Sequence, residues 1–197
     1  MANTSTGLFS QLRDFGTGGL SLSYRERPAI NYGRIGAITK PTNIVRGAYS
    51  LLSLPIYNSD DEEIYFNHSV VRRWDGISDI TFGCMAVYDT AQATPTEFKI
   101  VLEWNHYDYT KNVVPSAVKT VSVLNRTASS QYTASPLTFT IDYDADGAGN
   151  EIKANEVIGG RIYRAAKTTA AAAECSGEIM LHGFYIQYNR DKIGVSR

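Results

Sequence analysis

Three aspartates in a short segment are the clearest candidates for metal chemistry. Asp142, Asp144 and Asp146 alternate before Gly147, and calcium loops present carboxylate oxygens in this way. The pattern departs from an EF-hand, because the twelfth position counted from Asp142 is Lys153 where a bidentate Glu is required. A solvated acidic turn is favoured, with a β-loop calcium site as the weaker alternative. No tightly bound metal or other cofactor is expected.

The histidines and cysteines do not form a pattern typical of catalysis. His68, His106 and His182 are far apart, and none belongs to an HxH or HExxH motif. Cys84 lies within an apolar segment where a free thiol behaves as a small hydrophobic side chain, and Cys175 lacks CxxC spacing. The sequence also contains no GxSxG elbow, P-loop or dinucleotide fingerprint. We therefore expect a protein that is not an enzyme.

Aromatic residues beside polar groups are the candidates for binding. Tyr107 and Tyr109 lie at the end of a predicted strand next to Asn105 and Asp108, and Trp74 lies between arginine and aspartate residues. Such aromatic side chains can stack on a sugar ring or fill a protein interface. The alternatives without a binding role are strand-end packing for the two tyrosines and a solvated strand end for Trp74.

Hydrophobic residues recur with period two from about residue 45 onward. In residues 97–107, apolar positions alternate with polar ones, as on a strand with one buried face. The alternation predicts eight strands at residues 45–57, 63–72, 78–88, 97–107, 117–124, 137–142, 157–164 and 178–188. The predicted core consists of Phe82, Phe98, Ile100, Leu102, Trp104, Phe139, Ile162 and Ile186.

The spacing between these strands predicts their arrangement. No ten-residue helical pattern separates them, so parallel βαβ winding is disfavoured. The predicted fold is therefore all-β, an antiparallel jelly-roll-like β-sandwich formed by residues 45–197. The alanine-rich segment 165–174 is a loop or a short helix, and the loop is favoured.

Residues 1–44 differ from the rest and are predicted to form an extended N-terminal arm. They are rich in glycine and show little sustained alternation, although apolar residues at helical spacing and the caps Ser5 and Thr6 suggest a short helix over residues 8–15. The apolar groups of the arm need a surface, so we expect them to contact another subunit or assembly protein. The candidates for such an interface, together with the aromatic residues above, are Leu8, Phe9, Leu12, Phe15, Tyr24, Trp74, Tyr107 and Tyr109.

Composition excludes several classes of function. The chain has 197 residues, of which 43% are hydrophobic and 20% charged, as in globular proteins. Its net charge of −1 lacks the excess of positive charge that is typical of nucleic-acid-binding proteins, so a direct nucleic-acid role is not expected. Its apolar stretches are shorter than the roughly 20 residues that span a bilayer, and residues 1–7 lack the features of a secretory signal.

Four segments together resemble the β-sandwich modules of bacteriophage virion accessory proteins, namely head decoration, head fibre and tail fibre proteins. They are WDGISDITF (74–82), the strand over 98–104, GRIYR (160–164) and GFYIQY (183–188), and the resemblance covers about residues 70–190. It implies an enzymatically inert oligomer, typically a trimer.

These observations lead to two functional hypotheses. The first is a non-enzymatic virion structural protein, a capsid-associated jelly-roll that assembles with itself and docks on other shell or tail proteins. Its expected location is the virion. The alternative is a carbohydrate-binding or receptor-binding module of a viral adhesion device, using Tyr107, Tyr109 and the neighbouring loops.

Overall fold

Twelve β-strands form the part of the chain that the computed structural model describes. That part comprises residues 22–31, 42–46, 49–54, 63–70, 74–91, 96–107, 119–127, 133–145, 147, 150–166 and 173–190. The strands are β1 (Leu22–Glu26), β2 (Ala29–Asn31), β3 (Thr42–Arg46), β4 (Tyr49–Leu54), β5 (Glu63–Ser69), β6 (Ile80–Tyr88), β7 (Thr96–Tyr107), β8 (Lys119–Thr127), β9 (Ala134–Ile141), β10 (Val157–Ala165), β11 (Ala173–Glu174) and β12 (Ile179–Arg190).

The strands form two six-stranded sheets. In sheet A the order is β3-β4-β12-β6-β9, and β1 also pairs with β12. In sheet B the order is β11-β7-β10-β5-β2, and β8 also pairs with β7. All pairs are antiparallel except the short one between β11 and β7.

The connectivity is that of a jelly-roll. Sheet A contains the run β4-β12-β6-β9, and sheet B contains the run β8-β7-β10-β5, because β8 and β10 both pair with the same stretch of β7 and so lie on its two sides. If the two-residue β11 is disregarded, consecutive strands from β4 to β12 lie in different sheets. The exception is the pair β7 and β8, which both belong to sheet B. This double-sheet arrangement of eight strands defines the jelly-roll architecture. The predicted all-β fold is therefore confirmed.

The core lies between the two sheets. All eight predicted core residues are no more than 2% exposed, because each occupies an inward position in its strand. Aromatic rings connect the sheets: Phe66 of sheet B lies 4.5 Å from Phe82 of sheet A, centroid to centroid, and Tyr88 lies 5.5 Å from Phe98. The first pair is tilted and the second edge-on, and this packing adds to the free energy gained from apolar burial.

Short strands occur within the segment predicted as an arm. Strand β1 pairs with residues 186–190 of β12 in sheet A, and β2 pairs with residues 65–67 of β5 in sheet B. The predicted boundary between residues 44 and 45 falls inside β3. Strands of three to five residues are too short to show a sustained alternation, so the sequence pattern did not reveal them. The predicted helix over residues 8–15 lies outside the described residues.

The end of β10 is fixed by a buried arginine. Arg164 is 4% exposed and donates hydrogen bonds of 2.6 Å to the carbonyl oxygens of both Cys175 and Gly177. It also forms an ion pair with Glu174 at 3.1 Å. Of segment 165–174, Ala165 ends β10 and Ala173–Glu174 form β11, while residues 167–172 lie outside the described part. The described residues include no helix that could cross a membrane.

Candidate functional site

Most of the predicted interface residues cannot be placed in the fold. Leu8, Phe9, Leu12, Phe15 and Tyr109 lie outside the residues that the structure describes. Tyr24 belongs to β1, where its backbone pairs with that of Tyr188 in sheet A. Tyr107 is half-buried at the end of β7. Of the eight candidates, Tyr107 and Trp74 are therefore the two whose side-chain surroundings are defined.

The prediction that Trp74 lies at an exposed strand end or an interface is wrong, because this side chain belongs to the core. Its side chain is only 4% exposed, its Nε1 donates to the carbonyl oxygen of Ser78 at 3.1 Å, and its ring meets that of Tyr143 edge-on. The turn that follows folds back over it, since Asp75 Oδ1 accepts hydrogen bonds from the backbone amides of Ile77 and Ser78. Trp74 is therefore not an interface residue, whereas Ile77 in the turn is 72% exposed.

The acidic loop has the local hydrogen bonds of a turn. The backbone amide of Asp144 donates to Asp142 Oδ1 at 3.3 Å, and that of Tyr143 donates to Asp79 Oδ1 at 3.3 Å. A hydrogen bond between the side chains of Asp142 and Asp144 raises the pKa of Asp144, and the charge of Asp144 raises the pKa of Tyr143. Asp146 lies outside the described residues. Within the described part of the chain, no group of three or more acidic, histidine or cysteine side chains could hold a metal ion.

Tyr107 lies on the outer face of sheet B, the surface formed by the outward side chains of β5, β7 and β10. The inward residues of β5 are buried, whereas Tyr65 between them is half-buried and Asn67 is exposed. Asn105 and Tyr107 occupy the corresponding outward positions of β7. This face therefore presents amide and phenol groups to the outside, although its strands are far apart in sequence.

A line of small residues crosses this face, and we call it the trough: Ala29, Asn67, Gly159 and Asn105. The register places them side by side, because Asn67 pairs with both Ala29 and Gly159, and Gly159 also pairs with Asn105. Neighbouring strands lie about 4.8 Å apart, so these four positions span roughly 14 Å. Gly159, in the middle of the line, has no side chain to fill the space between the two asparagines.

A polar ridge borders the trough. Arg161 pairs with both Tyr65 and Glu103 in the register, and its Nε donates to Glu103 Oε2 at 2.6 Å. Its guanidinium also forms an ion pair with Glu63, which accepts a hydrogen bond from Tyr65, and Tyr163 donates to Glu103 at 2.8 Å. The hydrogen bond from Arg161 lowers the pKa of Glu103 and raises that of Arg161. The charges of the ridge are thus engaged with one another.

Among the residues that the structure describes, none requires a glycine at position 159. Within 4 Å, a Cβ atom on Gly159 would meet the carbonyl oxygen of Phe66 at the ordinary contact distance of 3.7 Å, and no other described atom. The neighbouring Gly160 is different, because a Cβ there would overlap the carbonyl oxygen of Glu103. On the outer face of sheet A, the space above Gly83 is filled by the ring of Tyr185.

Two buried histidines face the inside of the sandwich and are separate from the trough. His106 Nδ1 lies 2.7 Å from Oε2 of Glu156, and His68 Nε2 lies 3.4 Å from Oε2 of Glu26. Burial lowers the pKa of His68 more than the charge of Glu26 raises it. These are packed histidines, and Cys84 is a buried thiol whose pKa burial raises to about 12.

A comparison with solved structures found a distant likeness. No protein-family model matches the chain, and a search of curated proteins found no match. Among solved structures, the chain is similar to one titled "Family 16 Carbohydrate Binding Module-2", with a TM-score of 0.36 and 8% sequence identity. The alignment covers 79% of this chain and 89% of that chain.

Sequence reasoning identified only part of this surface. The alternation placed Asn105 and Tyr107 at outward or strand-end positions, but Asn67, Gly159 and Arg161 were not selected as a group. The sequence shows these three only as polar or small residues at outward positions of separate predicted strands. Knowing that these strands are neighbours requires the register of sheet B.

Proposed function

We propose that this chain is a non-enzymatic structural protein of the virion. It is a capsid-associated jelly-roll that assembles with itself, as a homotrimer, and docks on other shell or tail proteins. The observation that carries the proposal is the connectivity of the eight jelly-roll strands, an architecture that viral shell proteins use. Because one architecture serves several functions, the resemblance of the four sequence segments to phage accessory proteins is the second support.

The self-assembly contacts are assigned to the segment before β1. Leu8, Phe9, Leu12 and Phe15 supply apolar groups there, and buried apolar surface is the main source of free energy at interfaces between identical subunits. Residues 1–21 lead directly into β1, which is part of sheet A. A subunit bound through residues 1–21 would therefore be attached to the sandwich through β1.

The proposal is tested on purified virus particles whose genome encodes this chain. Quantitative mass spectrometry should find the chain at a fixed, high copy number relative to the major shell protein. Sedimentation of the isolated full-length chain should give the mass of a trimer. Absence of the chain from particles would refute the virion role, and a monomer at all concentrations would refute the self-assembly.

A second candidate function is that of a carbohydrate-binding or receptor-binding module of a viral adhesion device. The outer face of sheet B favours it, because Tyr107, Asn67 and Asn105 combine an aromatic ring with exposed or half-buried amides. An adhesion module would be present at low copy number and would bind glycans in isolation. The copy number and the glycan binding of the isolated chain therefore distinguish the two candidates.

A further inference from the structure

We propose that Glu26, His68 and Tyr188 form a pH-sensitive clasp, which holds residues 22–31 on the sandwich at neutral pH and releases them in mild acid. We call residues 22–31, which comprise β1 and β2, the strap. The inference concerns a conformational change within this chain, and it does not rest on the proposed role in a virion.

The clasp joins the strap to both sheets. Glu26 belongs to β1, and its Oε1 accepts a hydrogen bond of 2.7 Å from the hydroxyl of Tyr188 in sheet A. Its Oε2 lies 3.4 Å from Nε2 of His68 in sheet B. Pro28 is buried, and the pairing of β2 with β5, continued by one position, places it beside His68. The strap therefore contacts the edge of β5 at the position of the histidine.

His68 is the group of the clasp that titrates near neutral pH. Its side chain is 8% exposed, and among the residues that the structure describes its buried Nε2 has no hydrogen-bond partner. Burial away from water favours the neutral ring, and it lowers the pKa of His68 more than the charge of Glu26 raises it. Release of the strap would admit water to the ring. The released state then binds a proton more readily, so acid shifts the equilibrium toward release.

The other titratable groups inside the sandwich do not reverse this direction. On β10 the residue opposite His68 is the apolar Ile158, and β2 contains no titratable side chain. The next titratable group in this row is His106 of β7, whose Nδ1 lies 2.7 Å from Oε2 of Glu156. In the described part of the chain, Glu26 is the one charged group that contacts His68.

The strap is suited to open separately from the rest of the sandwich. Its strands have five and three residues, and within the described ranges each pairs with a single neighbour, β12 or β5. Its two arginines are exposed, and Arg25 lies over the ring of Tyr185 on the outer face of sheet A. Short elements with few buried side chains open at a lower free-energy cost than core strands.

Release of the strap would have a consequence for pairing between chains. Residues 186–190 of β12 and 65–67 of β5 would lose the partners that β1 and β2 provide. An unpaired strand edge is a template for pairing with another chain. The clasp would therefore make these two edges accessible in acid and keep them covered at neutral pH.

Hydrogen exchange of the full-length chain at pH 7.5 and 5.5 tests the inference, with protection factors corrected for the pH dependence of intrinsic exchange. We expect the strap to be at least tenfold less protected than residues 99–103 of β7 at both pH values, because it opens separately. Its protection should decrease about three- to tenfold at pH 5.5. Tenfold is about the limit for one group whose pKa in the released state is near 6.5.

Three variants assign this response to the clasp. His68→Gln removes the titrating group, so the strap's protection should change less than twofold between the two pH values. His182→Gln removes a half-buried histidine of β12 and is the matched control, which should respond like the wild type. Glu26→Gln keeps an acceptor for Tyr188 but removes the charge that favours protonated His68, so its response should be at least as large as that of the wild type.

Several outcomes would overturn the inference. They are a protection of the strap that does not decrease in acid, an equal decrease in His68→Gln, and a strap that exchanges at the same rate as β7. If His68→Gln does not fold, Glu26→Gln decides, because a response smaller than that of the wild type would show that acid acts on the carboxylate and not on the histidine.

Discussion

Leu102 illustrates how one inward position contributes to stability. It is fully buried in β7, where it pairs with Ile162 on one side and Val121 on the other. Leu102→Ala should lower the free energy of unfolding by about 2 to 5 kcal/mol, because it removes buried methyl groups and leaves a cavity. Ile77→Ala is the matched control, since this side chain is 72% exposed, and its effect should stay within about 0.5 kcal/mol. Urea denaturation measures both, and equal effects would contradict the packing of β7.

We expect His68 to make the free energy of unfolding depend on pH. Its burial lowers its pKa in the folded state, so the unfolded chain binds the proton more readily. The contribution of the neutral ring is complete above the ordinary value of about 6.5 and is lost as the pH falls from there toward the lowered pKa. We expect the melting temperature of the wild type to decrease more between pH 7.5 and 5.5 than that of His68→Gln. Identical slopes for the two proteins would show that His68 does not titrate with folding.

At the scale of elements, alternation was sufficient to locate the strands of the jelly-roll. The eight predicted segments contain or overlap β4 through β10 and β12, because each has enough residues to show which face is buried. The strand predicted over residues 45–57 is wrong at its start, since Val45 and Arg46 belong to β3 and pair back on Ser50 and Tyr49 of β4. The turn after Trp74 shows where this reasoning fails. Charged neighbours suggested an exposed strand end, but Asp75 accepts the amides of the turn and folds it over the ring.

The trough could not be predicted, because it depends on pairing between distant segments. Asn67, Asn105 and Gly159 come from three strands, and they meet only through the register of β5, β7 and β10. Hydrophobic alternation tells which face a residue occupies, but it does not tell which strands are neighbours. The sequence therefore indicated the polar face of β7 without indicating what lies beside it.

The ridge joins the same three strands by charge, which gives a prediction for these elements. Arg161 connects Glu63 and Glu103 across β5, β10 and β7, and Glu63 is only 5% exposed. Arg161→Gln should lower the free energy of unfolding by about 1 to 3 kcal/mol, because it leaves the Glu63 carboxylate buried without its cation. Arg25→Gln removes an exposed arginine that contacts Gln187, and it should cost less than about 1 kcal/mol.

Urea denaturation of the two variants measures the difference, and the double variant with Glu63→Gln serves as a further control. Removing both charges should restore part of the stability that Arg161→Gln loses, since no unpaired carboxylate then remains. If Arg161→Gln costs no more than Arg25→Gln, the ridge does not hold the strands together.

At the scale of the whole molecule, residues 22–31 belong to both sheets. Strand β1 extends sheet A and β2 extends sheet B, and the buried Pro28 lies in the two-residue connection between them. The hydroxyl of Tyr188 donates to Glu26 at 2.7 Å. A segment held in this way is part of the sandwich, so residues 22–31 do not belong to a free arm.

Two truncations separate the role of the arm from that of β1. Deletion of residues 1–21 should leave the free energy of unfolding of the sandwich nearly unchanged and weaken self-association, because it removes the apolar interface candidates and keeps every described strand. Deletion of residues 1–27 also removes β1 and the hydrogen bond between Tyr188 and Glu26. It should therefore lower the free energy of unfolding by a further amount of about 2 to 5 kcal/mol. Urea denaturation and sedimentation at several concentrations measure the two effects. Equal stability of the truncated chains would show that β1 is dispensable to the fold, and undiminished association of the shorter deletion would show that the assembly contacts lie on the sandwich itself.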